Sequence, residues 1–359
     1  MSELTINSQI IKANILKLSK YLKRHNIEWS LIVKILGGHR EVLSAILDEE
    51  VLGGIHSIGD SRILSLKTIK SINPDIRTMF IKPTAINQTE NVVRYADISL
   101  NTSLDTIEAL NKEAKKLGKV HEIIIMIEMG ELREGVLREN IINFYNNVFN
   151  MQNIEVIGIG TNLGCMYGIQ PTYDKLIQLS MLRDIIEVKF GRKIRIVSGG
   201  SSITLPLISK RLMPAGCNHL RIGEAAFMGT SPFNGKKFKD LSEEAFEFKS
   251  FIIEMKKKDV LPDGIIGEGN IGHTNDAISE TRDKIYKAIM DFGLIDVDVK
   301  NIEPKKKNLT FVGTSSDMTV YGMEKNEDGL KVGDYIKFKP DYTGVARLMT
   351  SKFVLKNII

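Results

Sequence analysis

Residues 194–202 read IRIVSGGSS, a short apolar run that ends in glycine and serine and leads into a helical pattern over 203–211. The same arrangement recurs along the chain, with apolar runs and helical segments in alternation. Strands that alternate with helices form a parallel sheet, and eight such units can close into a (β/α)₈ barrel. The eight runs occupy residues 29–36, 54–58, 78–81, 98–100, 123–127, 156–159, 194–197 and 220–222.

The pattern changes on either side of these runs. Isoleucine and leucine recur at helical spacing over 4–25, which predicts an N-terminal helix. After the polar, turn-rich segment 231–237 the pattern alternates with period two. We therefore predict an α/β fold, with a (β/α)₈ barrel and its N-terminal helix over residues 1–230 and a C-terminal, mostly antiparallel β domain over 231–359. The predicted elements of that domain are strands from Phe246 onward and at 309–312, 319–323, 335–338 and 352–355, and a helix over 281–293.

The composition is that of an ordinary globular protein. Of 359 residues, 43% are hydrophobic and 26% are charged, and the net charge of +5 is modest. Arginine clusters with interleaved aromatic residues are lacking, so nucleic acid binding is not expected. No apolar run approaches the roughly 20 residues of a membrane span, and residues 1–4 lack a signal-peptide pattern. Cys165 and Cys217 lack metal or redox spacing, so we expect reduced thiols, no metal site and a cytoplasmic location.

Chemistry-bearing residues in such a barrel lie where strands end. The glycines and serines of 199–202, together with the end of the eighth run at Arg221 and Gly223 directly after it, are typical of a phosphate site. A helix N-cap explains 199–202 equally well. Lys34 ends the first run. A lysine removed from water is costly unless it is paired or neutral, and a neutral amine can form a Schiff base with an aldehyde. Together these residues indicate pyridoxal 5′-phosphate.

From about residue 27 to the C terminus, the chain resembles the fold-type III pyridoxal-phosphate enzymes of the alanine racemase superfamily, most closely the ornithine racemase branch. Four motifs carry the resemblance: Val33-Lys34, the segment EMGELREG at 128–135, the loop SGGSS at 198–202, and Arg-Ile-Gly at 221–223. Two shorter motifs follow, SSDM at 315–318 and Tyr342 five residues before Arg347.

The resemblance implies a role for each matching residue. Lys34 would be the cofactor lysine and one of two catalytic bases. Arg133 would contact the phenolic oxygen of the cofactor or the substrate carboxylate, and Arg221 would face the pyridine nitrogen. Tyr342, in a final strand region, would bind the phosphate. The implied cofactor-binding residues are Lys34, Arg133, Asn162, Ser198, Gly200, Ser201, Ser202, Arg221, Gly223 and Tyr342, and the implied substrate-binding residues are Arg133, Ser316 and Asp317.

Two positions depart from the family pattern. Met126 stands where alanine racemases often carry a carbamylated lysine. Residues 267–272 read GEGNIG in place of the Gly-Tyr-Ala-Asp-Gly segment that supplies the tyrosine base. The second base is therefore open between Glu268 and His273, since Asn270 cannot exchange a proton near neutral pH.

The expected function is racemisation of a basic amino acid such as ornithine, in a homodimer whose partner subunit contributes residues 315–318 to the pocket. An alanine or broad-specificity racemase, a non-catalytic pyridoxal-phosphate carrier, and a decarboxylase or aldolase of the same fold are the alternatives. Structural roles also compete for three residues. Arg133 could pair with Glu128, Glu131 or Glu134, Arg221 could pair with Glu224, and Asp317 could cap a turn.

Overall fold

The computed structural model describes residues 1–265, 272–274 and 284–359, which form two compact units. The barrel unit is Gln9–Glu243, and the sheet unit combines Met1–Ser8 with Glu244–Ile359. The strands are β1 (Glu3–Ile6), β2 (Glu28–Ile32), β3 (Ser57–Asp60), β4 (Thr78–Phe80), β5 (Ile98–Asn101), β6 (His121–Met126), β7 (Ile154–Gly160), β8 (Ile196–Ser201), β9 (His219–Ile222), β10 (Thr230–Ser231), β11 (Lys236–Lys237), β12 (Phe246–Asp259), β13 (His273–Thr274), β14 (Lys284–Met290), β15 (Ile302–Pro304), β16 (Thr310–Thr314), β17 (Thr319–Met323), β18 (Tyr335–Pro340) and β19 (Leu355–Ile358). The helices are α1 (Ser8–Lys23), α2 (Arg40–Ile46), α3 (Glu49–Gly53), α4 (Ile63–Ile72), α5 (Thr89–Tyr95), α6 (Leu104–Lys116), α7 (Ile141–Val148), α8 (Tyr173–Phe190), α9 (Leu205–Ser209), α10 (Glu224–Met228) and α11 (Tyr342–Thr350).

Strands β2 to β9 pair in parallel and close into a barrel, because β9 also pairs with β2. The (β/α)₈ fold expected from the eight apolar runs is thereby confirmed. Apolar side chains fill part of the barrel interior, among them Met79, Leu100, Ile124, Met126 and Ile157. Met126 is 1% exposed, so the position that holds a lysine in many alanine racemases carries an uncharged core side chain here.

The first residues of the chain form a strand, and the helix predicted over 4–25 begins only at Ser8. Strand β1 pairs antiparallel with β12 and parallel with β19. Leu4 and Ile6 are fully buried, while Thr5 between them is less so. This alternation has period two, which is the period of a strand. The prediction was wrong for 4–7 because the apolar residues of β1 also match the helical spacing that continues into α1.

The sheet unit contains the predicted, mostly antiparallel sheet. Within its described part the strand order is β13-β16-β17-β14-β12-β1-β19, and β18 pairs with β12 and β15. Aromatic rings pack between the strands, with Phe248, Phe292 and Phe338 in mutual contact at centroid distances of 5.3–5.8 Å. These rings give the unit a core of its own.

Two predictions inside the sheet unit were wrong. The segment 281–293 was expected to be helical, but β14 occupies Lys284–Met290 and pairs with β12 and β17; residues 281–283 lie outside the described chain. Ala288 and Met290 are both buried, which is the alternation of a strand. Tyr342 was expected in a strand region, but it begins helix α11, whose N-cap Asp341 accepts a hydrogen bond from the Gly344 N–H.

Among the helices of the described ranges, none combines the length and the apolar character required to cross a bilayer. Over the same ranges, no three His, Cys, Asp or Glu side chains are grouped as metal ligands would be. Cys165 and Cys217 are both free thiols, the first exposed and the second buried.

Candidate active site at the C-terminal mouth of the barrel

Five neighbouring strands of the barrel, β6, β7, β8, β9 and β2, contain or lead into the predicted site residues of the barrel unit. The register pairs Gly160 with Ser198, Ser201 with Arg221, and Ser30 with Arg221. Parallel strands place their carboxyl ends at one edge, so the polar residues that follow them share one end of the barrel. The structure therefore brings together exits that are up to 190 residues apart, from Ile32 to Ile222.

Lys34 follows the first barrel strand. Strand β2 ends at Ile32, earlier than the predicted run 29–36, and Lys34 opens a single 3₁₀ turn, Lys34–Leu36. The side chain is exposed, and no hydrogen bond or ion pair of its ammonium is found within the described ranges. Its amine is therefore available to react with a ligand.

Arg221 is a buried cation held by neutral oxygens. It is 5% exposed, and it donates from Nη1 to Ser198 Oγ at 2.5 Å and from Nη2 to the Thr161 carbonyl at 2.7 Å. Burial lowers its pKa to about 10, opposed by the Glu134 charge and reinforced by Arg133. Both of these acceptors are uncharged oxygens. Two acceptors leave other guanidinium N–H groups free for a ligand.

The glycine-serine loop is shaped by backbone that only glycine adopts without strain. Gly200 has φ +119°, and a Cβ there would lie 2.5 Å from Thr204 Oγ1. A Cβ on Gly223 would lie 2.9 Å from the Ile32 carbonyl oxygen. Ser202 Oγ accepts the Ala225 N–H at 3.2 Å and so caps α10, while neither 3₁₀ turn Ser202–Thr204 nor α9 has a side-chain cap of its own. Ser202 is therefore a helix cap, but of α10 and not of the helix that follows it. Capping does not account for the two glycines.

Arg133 forms an ion pair with Glu134, which is one of the structural roles proposed for it from the sequence. Its guanidinium forms a two-pronged ion pair with the Glu134 carboxylate, which is largely buried, and its Nη1 lies 2.6 Å from Cys165 Sγ. The pair places the guanidinium between the loop that follows β6 and the loop that follows β7. Its position therefore depends on both loops.

Glu131 is a residue whose importance the sequence did not reveal. It is 2% exposed, and its carboxylate accepts backbone N–H groups at 2.7–3.2 Å from Gly164, Cys165, Tyr167, Gly168 and Ile169. Desolvation raises the pKa of the carboxyl, but the hydrogen bonds outweigh it and the net pKa is lowered. The carboxylate ties the loop after β7 to the loop after β6.

Two polar side chains at the strand ends each have one atom without a hydrogen-bond partner among the described residues. Asp60 is fully buried; its Oδ1 accepts the Arg62 N–H at 2.8 Å, but its Oδ2 accepts no hydrogen bond from the described residues. Desolvation raises the pKa of Asp60 to about 6, against the opposing effect of the Arg62 N–H. The Asn162 amide nitrogen is also buried without an acceptor in the described chain. Buried polar atoms of this kind need a partner, which water or a ligand can supply.

The other predicted residues belong to the sheet unit. His273 is exposed in β13. Asp317 is exposed and accepts a hydrogen bond from Ser316, and the turn is closed by Ser315 Oγ, which accepts the Met318 N–H; Asp317 is therefore not the cap of that turn. Glu268 and Asn270 lie outside the described residues. The roles expected for His273, Asp317 and Tyr342 stay predictions.

Comparison with known proteins places this geometry in a family. Residues 6–231 match the model of the alanine racemase N-terminal domain. The chain is 33% identical over 362 residues to an ornithine racemase of Acetoanaerobium sticklandii, with 99% of each chain covered. It is 29% identical over 353 residues to a lysine racemase of Thermotoga maritima, covering 98% of this chain and 97% of that one.

A crystal structure of alanine racemase from Bartonella henselae with covalently bound pyridoxal phosphate has a similar fold, with a TM-score of 0.74 at 16% identity. It covers 100% of this chain and 99% of its own. The chain belongs to the alanine racemase family.

Proposed function

We propose that this protein is a pyridoxal-phosphate-dependent amino-acid racemase whose preferred substrate is a basic amino acid, with ornithine as the first choice. The observation that carries the proposal is the combination of two cationic groups at the ends of the hydrogen-bonded strands β2 and β9. Lys34 offers an amine with no ion pair among the described residues, and Arg221 is buried and donates to the neutral oxygens of Ser198 and Thr161.

The residues present fit the cofactor. Lys34 offers an amine for the aldehyde, and Arg221 offers buried N–H groups. Gly200 has a positive φ, and a Cβ there would clash with Thr204 Oγ1, so the loop keeps a shape that needs glycine. The Asn162 amide nitrogen lacks an acceptor among the described residues. We assign the phosphate to Ser201, Ser202 and the neighbouring glycines, with Tyr342 as a further expected contact.

Bound pyridoxal phosphate supplies an aldehyde that links to amines and a ring that delocalises the charge left when an α-proton is removed. The Lys34 amine is the group that takes or returns this proton on one face. The Arg221 guanidinium would disfavour a second positive charge on a cofactor ring nitrogen held beside it, because like charges in contact repel. A decarboxylase of this fold would be expected to carry a carboxylate there, so Arg221 favours racemisation.

Racemisation also needs a proton donor on the opposite face. Glu268 and His273 are the candidates, the first within residues 267–272, which replace the tyrosine motif of alanine racemases, and the second directly after them. Arg133 would hold the substrate carboxylate or the cofactor oxygen, and its ion pair with Glu134 fixes the direction of its remaining donors. A substrate carboxylate held by Arg133 is less readily lost as carbon dioxide.

The basic substrate is inferred from the relatives, which are named for ornithine and lysine and align over nearly the whole chain. The same likeness supports a homodimer in which residues 315–318 of one subunit complete the pocket of the other. Sedimentation of an active monomer would contradict the dimer without affecting the reaction.

The test is to incubate the protein and pyridoxal phosphate with L-ornithine, L-lysine, L-arginine and L-alanine in heavy water. Chiral chromatography and mass spectrometry then report inversion and α-deuterium together. We expect D-ornithine with one deuterium, formed faster than the other products. Bound cofactor without turnover of any amino acid would identify a carrier instead, and release of carbon dioxide would identify a decarboxylase.

A further inference from the structure

Arg221 begins a continuous row of buried hydrogen bonds inside the barrel. From its Nη1 the row passes to Ser198 Oγ at 2.5 Å, and from Ser198 Oγ to His219 Nδ1 at 2.9 Å. His219 Nε2 lies 3.0 Å from Ser30 Oγ, which lies 2.7 Å from Ser57 Oγ. All five residues are buried, and the row crosses the neighbouring strands β8, β9, β2 and β3.

The chemistry of the first member sets the direction of the row. A guanidinium can only donate, so Ser198 Oγ is an acceptor toward Arg221. The positive charge favours a Ser198 O–H that points away from it, and the neighbour on that side is His219 Nδ1. A nitrogen that accepts carries no proton, so the His219 proton is on Nε2 and is donated to Ser30 Oγ. Ser30 then donates to Ser57.

The aligned row matters to Arg221 because bonds in series strengthen one another. A hydroxyl that donates its own hydrogen becomes a better acceptor, so the bond from Ser198 to His219 strengthens the bond from Arg221 to Ser198. A buried cation is costly without such partners. A carboxylate could supply them, but it would also cancel the positive charge, which neutral serine and histidine do not.

We propose that His219 is a positioning residue that acts through Ser198 to hold the Arg221 guanidinium in place and fully charged. The role of that charge toward the ring nitrogen of the cofactor rests on the proposed function. The row of hydrogen bonds and the position of the proton on His219 are independent of that function, because they involve only protein groups.

The first test uses the cofactor-free protein labelled with ¹⁵N at histidine, with the His219 signals assigned by their loss in His219→Asn. We expect the Nδ1 shift of an unprotonated nitrogen and the Nε2 shift of a protonated one. Ser198→Ala should change the Nδ1 shift more than the Nε2 shift, because it removes only the Nδ1 partner. A proton on Nδ1 would overturn the proposal.

The second test separates positioning from packing with a matched pair of variants. The amide of His219→Asn replaces Nδ1 and can still partner Ser198, whereas that of His219→Gln reaches toward Ser30 and leaves Ser198 alone. We expect His219→Asn to bind pyridoxal phosphate within a few-fold of the unsubstituted protein and His219→Gln to bind about tenfold more weakly, as for loss of one hydrogen bond. Absorbance titration measures both.

The reverse order, with the bulkier His219→Gln binding better, would mean that His219 only fills space. If the unsubstituted protein binds no pyridoxal phosphate, the proposed function fails, and the nitrogen shifts still decide whether the row exists. If both variants fail to fold, the His219 signals are assigned by their change in Ser198→Ala, and the nitrogen shifts still decide the proposal.

Discussion

The carboxylate of Glu131 accepts a hydrogen bond from the backbone N–H of Tyr167 at 2.7 Å, the shortest of five that it receives from the loop after β7. The same loop brings Cys165 to Arg133. A single buried side chain therefore sets the position of a loop that contacts the arginine expected to hold the substrate.

We predict that Glu131→Gln lowers the free energy of unfolding by about 1–3 kcal/mol, because an amide NH₂ replaces one accepting oxygen and leaves N–H groups unsatisfied. The KM for the amino acid should rise more than kcat falls, since Arg133 loses support. Urea unfolding and steady-state kinetics measure the two effects. The matched control is Glu139→Gln, which changes an exposed carboxylate a few residues further along the chain. It should change neither the free energy of unfolding nor the kinetic constants. Faster amide exchange of residues 164–169 is expected only in Glu131→Gln.

Lys34 has a close control elsewhere in the barrel. Lys82 is also exposed, and it follows Phe80 of β4 by two residues, as Lys34 follows Ile32 of β2. We predict that Lys34→Ala abolishes the imine absorbance band and racemisation, while Lys82→Ala keeps both, because only Lys34 neighbours the strand that bears Arg221. Absorbance spectra after reconstitution and borohydride reduction report the linkage. Loss of the band in Lys82→Ala alone would disprove the assignment.

The adjacent glycines of the β8 exit should respond differently to alanine. Gly200→Ala combines a positive φ with a Cβ 2.5 Å from Thr204 Oγ1, whereas a Cβ on Gly199 meets only the ends of Met213, Leu176 and Cys217 at 3.3–3.5 Å. Strain of this kind costs about 1–3 kcal/mol. We expect Gly200→Ala to weaken pyridoxal-phosphate binding at least tenfold and Gly199→Ala to change it less. Equal affinities in a fluorescence titration would argue that the loop does not bind the phosphate.

His121 should make the protein less stable in mild acid. Burial, with a smaller effect of Lys119 and against that of Asp97, lowers its pKa from 6.5 to about 4. Between these values the unfolded chain binds a proton that the folded chain does not. The contribution of neutral His121 is therefore present above pH 6.5 and is lost as the pH falls toward 4.

For one histidine the slope is at most about 1.4 kcal/mol per pH unit. Urea unfolding at several pH values measures it. His121→Gln keeps a polar atom near Ser99, the present partner of His121 Nε2. It should lower the slope of the unfolding free energy against pH by the amount that corresponds to one proton. Replacement of the exposed His25 by glutamine should have a smaller effect. An unchanged slope in His121→Gln would contradict the assignment.

The alternation of apolar runs and helical segments predicted the barrel correctly, because strand and helix periods are local properties. The same reasoning failed for β1 and β14. In each, a few apolar residues match both a helical face and an alternating strand, and the pairing with β12 decides between the two structures. The Lys34, Ser198–Ser202 and Arg221 motifs stood out in the sequence because strand ends are where a barrel collects its chemistry.

The sequence by itself determined the fold class and the chemical types of residue at each strand exit, since both depend on neighbours a few positions apart. Only the tertiary structure decided which groups meet. Glu131 has its hydrogen-bond donors more than 30 residues away, and Arg221 reaches His219 only by way of Ser198 on another strand. Hydrogen bonds act over about 3 Å, so contacts of this kind are fixed when the strands close into a barrel and leave no periodic trace in the chain.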